Sequence, residues 1–172
     1  ILGSFKINSK MSVTIRKNKR EDNEILAKII RTSFHDFDVK ATCGTVYTDP
    51  TTDDLFSLFQ TERSALFVAE ENGVILGCCG IFPTENLPEN TTELVKFYLT
   101  KEARGKGIGK LLMEKCFDKA KELGYQQVYL ESLPEFNKAV SIYEKQGFRY
   151  LEKALGNSGH SGCNLWMIKK LN

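Results

Sequence analysis

A short turn rich in glycine and basic residues joins a strand-like segment to a long amphipathic helix pattern. The turn reads Arg104-Gly105-Lys106-Gly107-Ile108-Gly109-Lys110. β-Forming residues precede it at 94–99, and apolar residues recur after it at helical spacing until Gly124. Glycines allow a ligand to approach the backbone closely, and the unpaired N–H groups of a first helical turn attract anions. The sequence therefore predicts a strand, a tight turn and a helix that together hold a pyrophosphate.

Two better-known phosphate loops do not fit this turn. A Walker loop needs glycine where Arg104 stands and a hydroxyl residue where Leu111 stands. The dinucleotide fingerprint Gly-x-Gly-x-x-Gly fails because Lys110 follows Gly105 and Gly107 at the third glycine position. A basic glycine turn can also open a surface helix that binds nothing, so the neighbouring motifs decide its role.

The neighbouring motifs resemble those of the GNAT family of N-acetyltransferases. That family's acetyl-CoA loop reads Arg/Gln-x-x-Gly-x-Gly/Ala after a strand, and residues 104–109 match it. The strand at 128–132 and the pattern Ala139-x-x-x-Tyr143-x-x-x-Gly147-Phe148 follow in the family's order. The resemblance covers about residues 93–150. It implies acetyl-CoA as co-substrate, bound by Phe97, Tyr98, Leu99, Arg104, Gly105, Lys106, Gly107, Ile108, Gly109 and Lys110.

The composition favours one globular domain. A chain of 172 residues with 41% hydrophobic content can bury a core. A net charge of +2 argues against nucleic-acid binding over a broad surface. No apolar run reaches the roughly 18 to 20 residues of a membrane span, and the first residues lack the apolar centre of a signal peptide. We therefore expect a cytoplasmic protein without nucleic-acid or membrane partners, and a homodimer is left open.

Cysteine usage and the first residues complete this general description. Residues 1–10 precede Met11 and are interpreted as an N-terminal extension or an expression remnant, so that the acetyltransferase domain spans 11–172. The sequence has no Cys-x-x-Cys pair joined by histidines at zinc-ligand spacing, and no metal is expected. The five cysteines form no Cys-x-x-Cys pair, which favours reduced and mostly buried thiols at Cys43, Cys78, Cys79, Cys116 and Cys163.

Periodicity and turn signals predict the order β-α-α-β-β-β-α-β-α-β-β. Asn72-Gly73 between two apolar runs predicts a hairpin, and Asp49-Pro50-Thr51 predicts a helix start. With the family resemblance, this order implies an α/β fold with a GNAT-like mixed, mainly antiparallel sheet and helices on both faces. The predicted strands lie at 12–16, 65–69, 74–82, 94–100, 126–132, 147–154 and 163–170, and the helices at 21–34, 51–60, 107–124 and 135–146.

Acetyl transfer to an amine calls for a base. A primary amine with a pKa near 10 leaves only about one molecule in a thousand unprotonated at pH 7. Glu93 opens the strand that leads to the loop, eleven residues before Arg104, which is the separation in family members whose strand glutamate is the base. Glu131 on the next strand is a rival base or a partner for a cationic amine. A solvated or structural carboxylate is the alternative for each.

The leaving thiolate of CoA needs a proton donor. Tyr143 occupies the family's position for that acid, although packing of its helix is the alternative. The resemblance also implies that a backbone N–H of the strand at 97–99 holds the oxyanion. One departure is Phe136, where many family members place an asparagine that contacts the cofactor, because Asn137 is displaced by one position.

The acceptor pocket of the family is usually built from the connection after the first helix. His35, Asp36 and Asp38 lie there, and with Glu131 they are the predicted acceptor-binding residues, which would suit a cationic amine. The glycine-rich segment 156–162 forms either another wall of this pocket or a simple loop.

The function predicted from these features is transfer of an acetyl group from acetyl-CoA to a primary amine. The acceptor is expected to be a small molecule that attacks directly in a ternary complex. The alternative is a non-catalytic acyl-CoA-binding sensor or interaction module that keeps the loop without the chemistry.

Overall fold

Strands and helices follow one another in the predicted order in a computed structural model, which describes residues 12–41 and 44–172. Residues 1–10, predicted as an extension, and Cys43 lie outside the described residues. Short 3₁₀ turns precede the first three helices. The strands are β1 (Thr14–Lys17), β2 (Ala65–Glu71), β3 (Val74–Phe82), β4 (Thr91–Leu99), β5 (Gln127–Ser132), β6 (Arg149–Leu151) and β7 (Leu165–Lys170). The helices are α1 (Asn23–Asp36), α2 (Leu55–Leu58), α3 (Ile108–Glu122) and α4 (Asn137–Lys145).

Some predicted bounds differ from the observed ones for local reasons. The helix predicted at 51–60 is a 3₁₀ turn followed by the single turn of α2, because Asp49 and Asp54 each cap a separate start. The sixth strand is shorter than predicted, because only Arg149–Leu151 pair with β7.

The described strands form one sheet in the order β1-β2-β3-β4-β5-β7-β6. All neighbours are antiparallel except β4 and β5. These two strands pair only where Thr91–Glu93 meets Gln127–Tyr129. β4 therefore starts at Thr91, earlier than predicted, and the two strands separate after Glu93.

A β-bulge interrupts β4 just beyond this separation. Cys78 pairs with Tyr98 and Gly80 with Val95, so two residues, Lys96 and Phe97, face the single residue between them on β3. Lys96 has a φ of 55°, in the left-handed region. Side chains along β4 point alternately to the two faces of the sheet. The extra residue shifts this alternation by one position after the bulge.

Helices cover both faces of the sheet, as the family resemblance implied. α3 and α4 pack on one face through residues such as Leu112, Met113 and Val140. α1 and α2 pack on the other through Ile30, Phe34 and Leu55. Among the described residues, no helix is both long enough and apolar enough to cross a membrane. The described cysteines are free thiols, with Cys78, Cys79 and Cys116 buried and Cys163 half-buried.

Candidate functional site

A cleft of about 450 Å³ lies between the end of β4, the glycine turn and α4. Of the residues predicted to bind a cofactor, those on β4 and the first two of the turn line this cleft. The others, residues 106–110, continue from the turn into the first residues of α3. The β4 and turn residues on the cleft are Phe97, Tyr98, Leu99, Arg104 and Gly105.

The three glycines of the turn have two different tasks. Gly105 and Gly107 have φ values of 75° and 78°, and no atom lies within 4 Å of where a Cβ would stand on either. Gly107 is also the N-cap residue directly before α3. A Cβ on Gly109 would instead lie 2.8 Å from Cζ of Phe97. The first two glycines thus shape an open turn, and the third allows α3 to pack closely on β4.

The Arg104 side chain folds back from the turn onto α1. Its guanidinium donates to the Leu99 carbonyl at 3.0 Å and to Asp36 Oδ2 at 2.9 Å, and it lies 4.6 Å from the centroid of the Phe37 ring. Arg104 therefore fastens the turn to the end of α1, and its charge is already matched by Asp36.

These contacts predict a structural effect for Arg104→Ala. The free energy of unfolding should fall by about 2 kcal/mol, because a half-buried carbonyl and a carboxylate lose a charged donor. Chemical denaturation measures this change, and the exposed Arg149→Ala is the control, expected to change stability by less than about 0.5 kcal/mol. A double-mutant cycle with Asp36→Asn should show coupling between the two residues. Additive losses would contradict the inferred tie.

Two carboxylates meet where β4 and β5 separate. Glu93 is only 3% exposed and accepts a hydrogen bond from the Thr84 hydroxyl. Glu131 is half-buried and accepts hydrogen bonds from the hydroxyls of Tyr129, at 2.6 Å, and Ser158. Both carboxylates therefore already have a donor, and they line one cavity together.

Burial changes the acidity of Glu93. Desolvation raises its pKa to about 7, and the nearby charge of Glu131 acts in the same direction. The Thr84 hydroxyl and the Lys96 ammonium oppose this rise. A carboxyl group with a pKa near neutrality can accept a proton at the pH at which enzymes commonly work.

Lys96, Asp49 and His160 form a charged cluster beside the two carboxylates. Lys96 is 5% exposed, and its Nζ lies 3.9 Å from Asp49 Oδ2. The same oxygen lies 3.0 Å from Nε2 of His160. Burial lowers the pKa of Lys96. Burial alone would raise the pKa of Asp49, but hydrogen bonds from His160 and Thr51 hold it at about 2.

The spacing of three of these side chains is also that of a cation site. One ligand-type atom each from Glu93, Glu131 and His160 lie within 4.8 Å of one another. The positive Lys96 lines the same cavity and opposes a second cation there. The absence of a metal stays a prediction.

Tyr143 lies on the cavity that holds the two carboxylates. Its ring packs against Phe97 and Phe148, with centroids 5.7 and 5.9 Å away. Within residues 12–41 and 44–172, its hydroxyl has no hydrogen-bond partner. Burial raises the pKa of Tyr143 well above its usual value, so the side chain stays a phenol.

The structure brings some predicted site residues together and separates others. Glu93, Glu131 and Tyr143 line one cavity. His35 and Asp38 are exposed and do not line it, and Asp36 is the partner of Arg104. The helix was predicted to end at residue 34, but α1 extends to Asp36. His35 and Asp36 therefore belong to the last turn of α1, and Asp38 follows shortly after it.

Residues from the same two segments line the cavity with Glu93 and Glu131. Thr45 and Val46 line the cavity from the connection after α1, and His160 lines it from the glycine-rich segment. Phe136, at the family's asparagine position, packs edge-on against Phe34 with centroids 5.2 Å apart. Phe136 and Asn137 both line the cleft.

Sequence reasoning missed Asp49, Lys96 and His160 as members of the site. Lys96 carried a signal, because it is a single charged residue inside an apolar strand segment. Asp49 was predicted only as a helix start, and its Oδ1 does accept from the Thr51 N–H at 2.9 Å. Its second contact joins residues 111 positions apart in the sequence, which no local pattern reveals.

The sequence is similar to the GNAT acetyltransferase family along most of its length. A sequence model of the acetyltransferase (GNAT) family matches residues 28–148. The uncharacterised N-acetyltransferase YjgM of Escherichia coli strain K12 is 31% identical over 160 residues, which span 93% of this chain and 96% of YjgM. These matches cover most of the chain.

Solved structures share the fold at lower sequence identity. A GNAT-family acetyltransferase from Staphylococcus aureus Mu50 aligns with a TM-score of 0.82 and 22% identity, over 94% of this chain and 100% of the other. A phosphinothricin acetyltransferase from Sinorhizobium meliloti, in complex with acetyl-CoA, aligns with a TM-score of 0.72 and 21% identity, over 94% and 90% of the two chains.

Proposed function

Because the chain belongs to the GNAT family of N-acetyltransferases, we propose that it transfers an acetyl group from acetyl-CoA to a primary amine of a small molecule. The amine attacks directly in a ternary complex. The observation that carries this proposal is that the cleft beside the glycine turn and the cavity of Glu93 share lining residues, among them Phe97, Tyr98 and Phe136. A thioester in the cleft can therefore meet an amine in the cavity.

Acetyl-CoA occupies the cleft with its pyrophosphate at the turn. The left-handed Gly105 and Gly107 leave open space beside the first N–H groups of α3, which suits an anion. The pantetheine arm then extends towards Glu93 along the part of β4 that is not paired with β5. The phosphinothricin acetyltransferase that shares this fold is in complex with acetyl-CoA, which supports acetyl-CoA as the co-substrate.

Glu93 acts as the base and Tyr143 as the acid. The amine nitrogen attacks the thioester carbonyl carbon, a C–N bond forms, and the C–S bond breaks with its electron pair left on sulfur. The ammonium form of the acceptor loses two protons overall. Glu93 takes the first and releases it to solvent, and the second replaces the proton that Tyr143 gives to sulfur. A backbone N–H on β4 stabilises the oxyanion.

Glu131 binds the incoming ammonium. Its oxygens already accept hydrogen bonds from Tyr129 and Ser158, which hold the carboxylate in a fixed position. Glu93, with a pKa near 7, is better suited to proton transfer. This division gives each of the two carboxylates a different role.

The test is thiol release from acetyl-CoA in the presence of a panel of small primary amines. Release that depends on an amine, with a matching N-acetylated product, supports the proposal. Tight binding of acetyl-CoA with no release on any amine would instead favour the acyl-CoA-binding module.

The turn provides a prediction about cofactor binding. Gly107→Val should lower acetyl-CoA affinity about tenfold or more, because a β-branched residue is strained at a φ of 78° and shifts the N–H groups that begin α3. Isothermal titration calorimetry measures the affinity. Gly124→Val is the matched control, since Gly124 has a φ of 84° and open space but lies beyond the other end of α3. Equal affinities in the two variants would remove the turn from the cofactor site.

A further inference from the structure

Lys96 is a buried cation for which the acetyl transfer proposed above has no use. We propose that its ammonium binds an anionic group of the acceptor, so that the preferred acceptors are amines that also carry a carboxylate. This inference rests on the proposed function and specifies the substrate class of the same site. α-Amino acids and short ω-amino acids belong to that class.

The ammonium of Lys96 has unused hydrogen-bond donors. An ammonium has three N–H donors, and burying one without hydrogen bonds is costly. The Lys96 side chain is 3% exposed, yet its Nζ donates no hydrogen bond to any residue that the structure describes. The paired carboxylate oxygen, on Asp49, is 3.9 Å away, beyond hydrogen-bond distance. The ammonium therefore has donors available for a ligand.

Asp49 is not a sufficient partner for this cation. Its Oδ2 contacts His160 Nε2 at 3.0 Å, and its Oδ1 accepts from the N–H and the hydroxyl of Thr51 at 2.9 and 2.7 Å. Both oxygens are thus already engaged by closer groups. Asp49 offsets part of the Lys96 charge, while the hydrogen-bonding capacity of the ammonium stays unused.

The backbone at Lys96 gives a second, independent argument. Its φ of 55° is a conformation that glycine or asparagine adopts more readily than lysine. The bulge would be easier to form with either of those residues. The side chain that the sequence provides there is nevertheless a lysine, which is aimed into the protein and not into solvent.

The position of Lys96 also suits an acceptor with a carboxylate. Lys96 and Glu93 both line the cavity between the separating strands and also a neighbouring cavity of about 340 Å³. They are three residues apart on one strand, so their Cα atoms lie roughly 10 Å apart or less. An acceptor whose amine lies at Glu93 and Glu131 can therefore place a carboxylate a few bonds away against Lys96.

Matched acceptors test the inference directly. Each α-amino acid in the panel is compared with its amide and with the amine that lacks the carboxyl group. The wild-type kcat/KM should be about 10- to 100-fold higher for the acid, the scale of a charged hydrogen bond. The difference should lie mainly in KM, because the anchor holds acceptor and transition state alike.

Variants of Lys96 then test whether this residue causes the preference for the acid. Lys96→Met keeps the length and apolar stem of the side chain and removes the charge, so the preference for the acid should fall to about threefold or less. Lys121→Met removes an exposed lysine of α3 and should keep the full preference. Unchanged acetyl-CoA affinity shows that Lys96→Met is folded, and Lys96→Asn, which suits the left-handed backbone, provides a second variant.

The outcomes separate this inference from the function on which it rests. Turnover of amines without a preference for the acid, or a preference that survives in Lys96→Met, overturns the anchor and leaves the acetyl transfer intact. Failure to turn over any amine overturns the proposed function. Calorimetry on the CoA-bound protein then decides the anchor: tighter binding of the acid than of its amide, lost in Lys96→Met, supports it, and equal binding overturns it.

Discussion

Glu93→Gln is expected to lower kcat/KM for the acceptor about 10²- to 10⁴-fold near pH 7, the scale of general base catalysis. The amide keeps the size of the side chain but cannot take a proton from the ammonium. In the wild type, the pH profile of kcat/KM should have a limb that rises through about pH 7, the value to which burial raises the pKa of Glu93. In the variant this limb should be absent, and the loss should shrink as pH approaches the pKa of the amine.

Glu131→Gln is the comparison that assigns the base. It should raise KM for the acceptor and keep the rise in kcat/KM near pH 7, because in the proposed mechanism Glu131 binds the ammonium and does not take its proton. A loss of equal size at every pH in Glu93→Gln would mean that Glu93 positions the acceptor. In that case the limb would have to belong to another group.

Glu93→Gln should also stabilise the protein at alkaline pH. The pKa of Glu93 rises from 4.5 in the unfolded chain to about 7 in the folded one. A carboxyl group of this kind contributes stability below pH 4.5, and that contribution is lost as pH rises towards 7 and above. The loss is about 3 kcal/mol. Denaturation at pH 8 should therefore show Glu93→Gln to be more stable than the wild type, while the exposed Glu152→Gln should show no gain.

The parts of the fold that local chemistry determines could be predicted from the sequence. Asn72 and Gly73 both have positive φ, 50° and 80°, as a two-residue hairpin requires. The glycine turn likewise requires the left-handed conformations of Gly105 and Gly107. In each case a residue type with a rare backbone preference stands beside strand or helix periodicity, so the pattern is specific.

The parts of the site that depend on tertiary contacts could not be predicted. Asp36 and Arg104 are 68 positions apart, and Asp49 and His160 are 111 positions apart. Glu93 could be named because its separation from the turn is fixed along one strand. The bulge that turns Lys96 inward depends on how β4 pairs with β3, which its own sequence does not specify.

The buried charges explain why these contacts matter for function. Glu93 and Lys96 are both nearly inaccessible to solvent, on one strand, at the point where the sheet opens. A carboxyl and an ammonium group in such a place destabilise the fold unless partners offset them. Burial holds the pKa of Glu93 near 7 and leaves Lys96 with unused donors, which suits a substrate site better than a structural core.

Tyr143→Phe should lower kcat about 10²-fold while acetyl-CoA affinity and stability stay the same. The ring keeps its packing against Phe97 and Phe148, and the hydroxyl has no hydrogen-bond partner to lose among the described residues. Stopped-flow or steady-state thiol release gives kcat, and calorimetry gives the affinity. The buried Tyr125→Phe is the control with the opposite expectation. Its hydroxyl donates to the Arg63 carbonyl at 3.0 Å, so stability should fall by about 1 kcal/mol with kcat unchanged.

The leaving group provides the sharper test of the acid. An acetyl thioester whose thiol has a lower pKa than CoA needs less help from a proton donor, so Tyr143→Phe should slow it much less than it slows acetyl-CoA. Burial keeps Tyr143 a phenol at any working pH, so its loss should lower kcat without moving the limb near pH 7 that Glu93 sets. Equal slowing of both thioesters would remove proton donation from the role of Tyr143, and an unchanged kcat would leave packing as its only task.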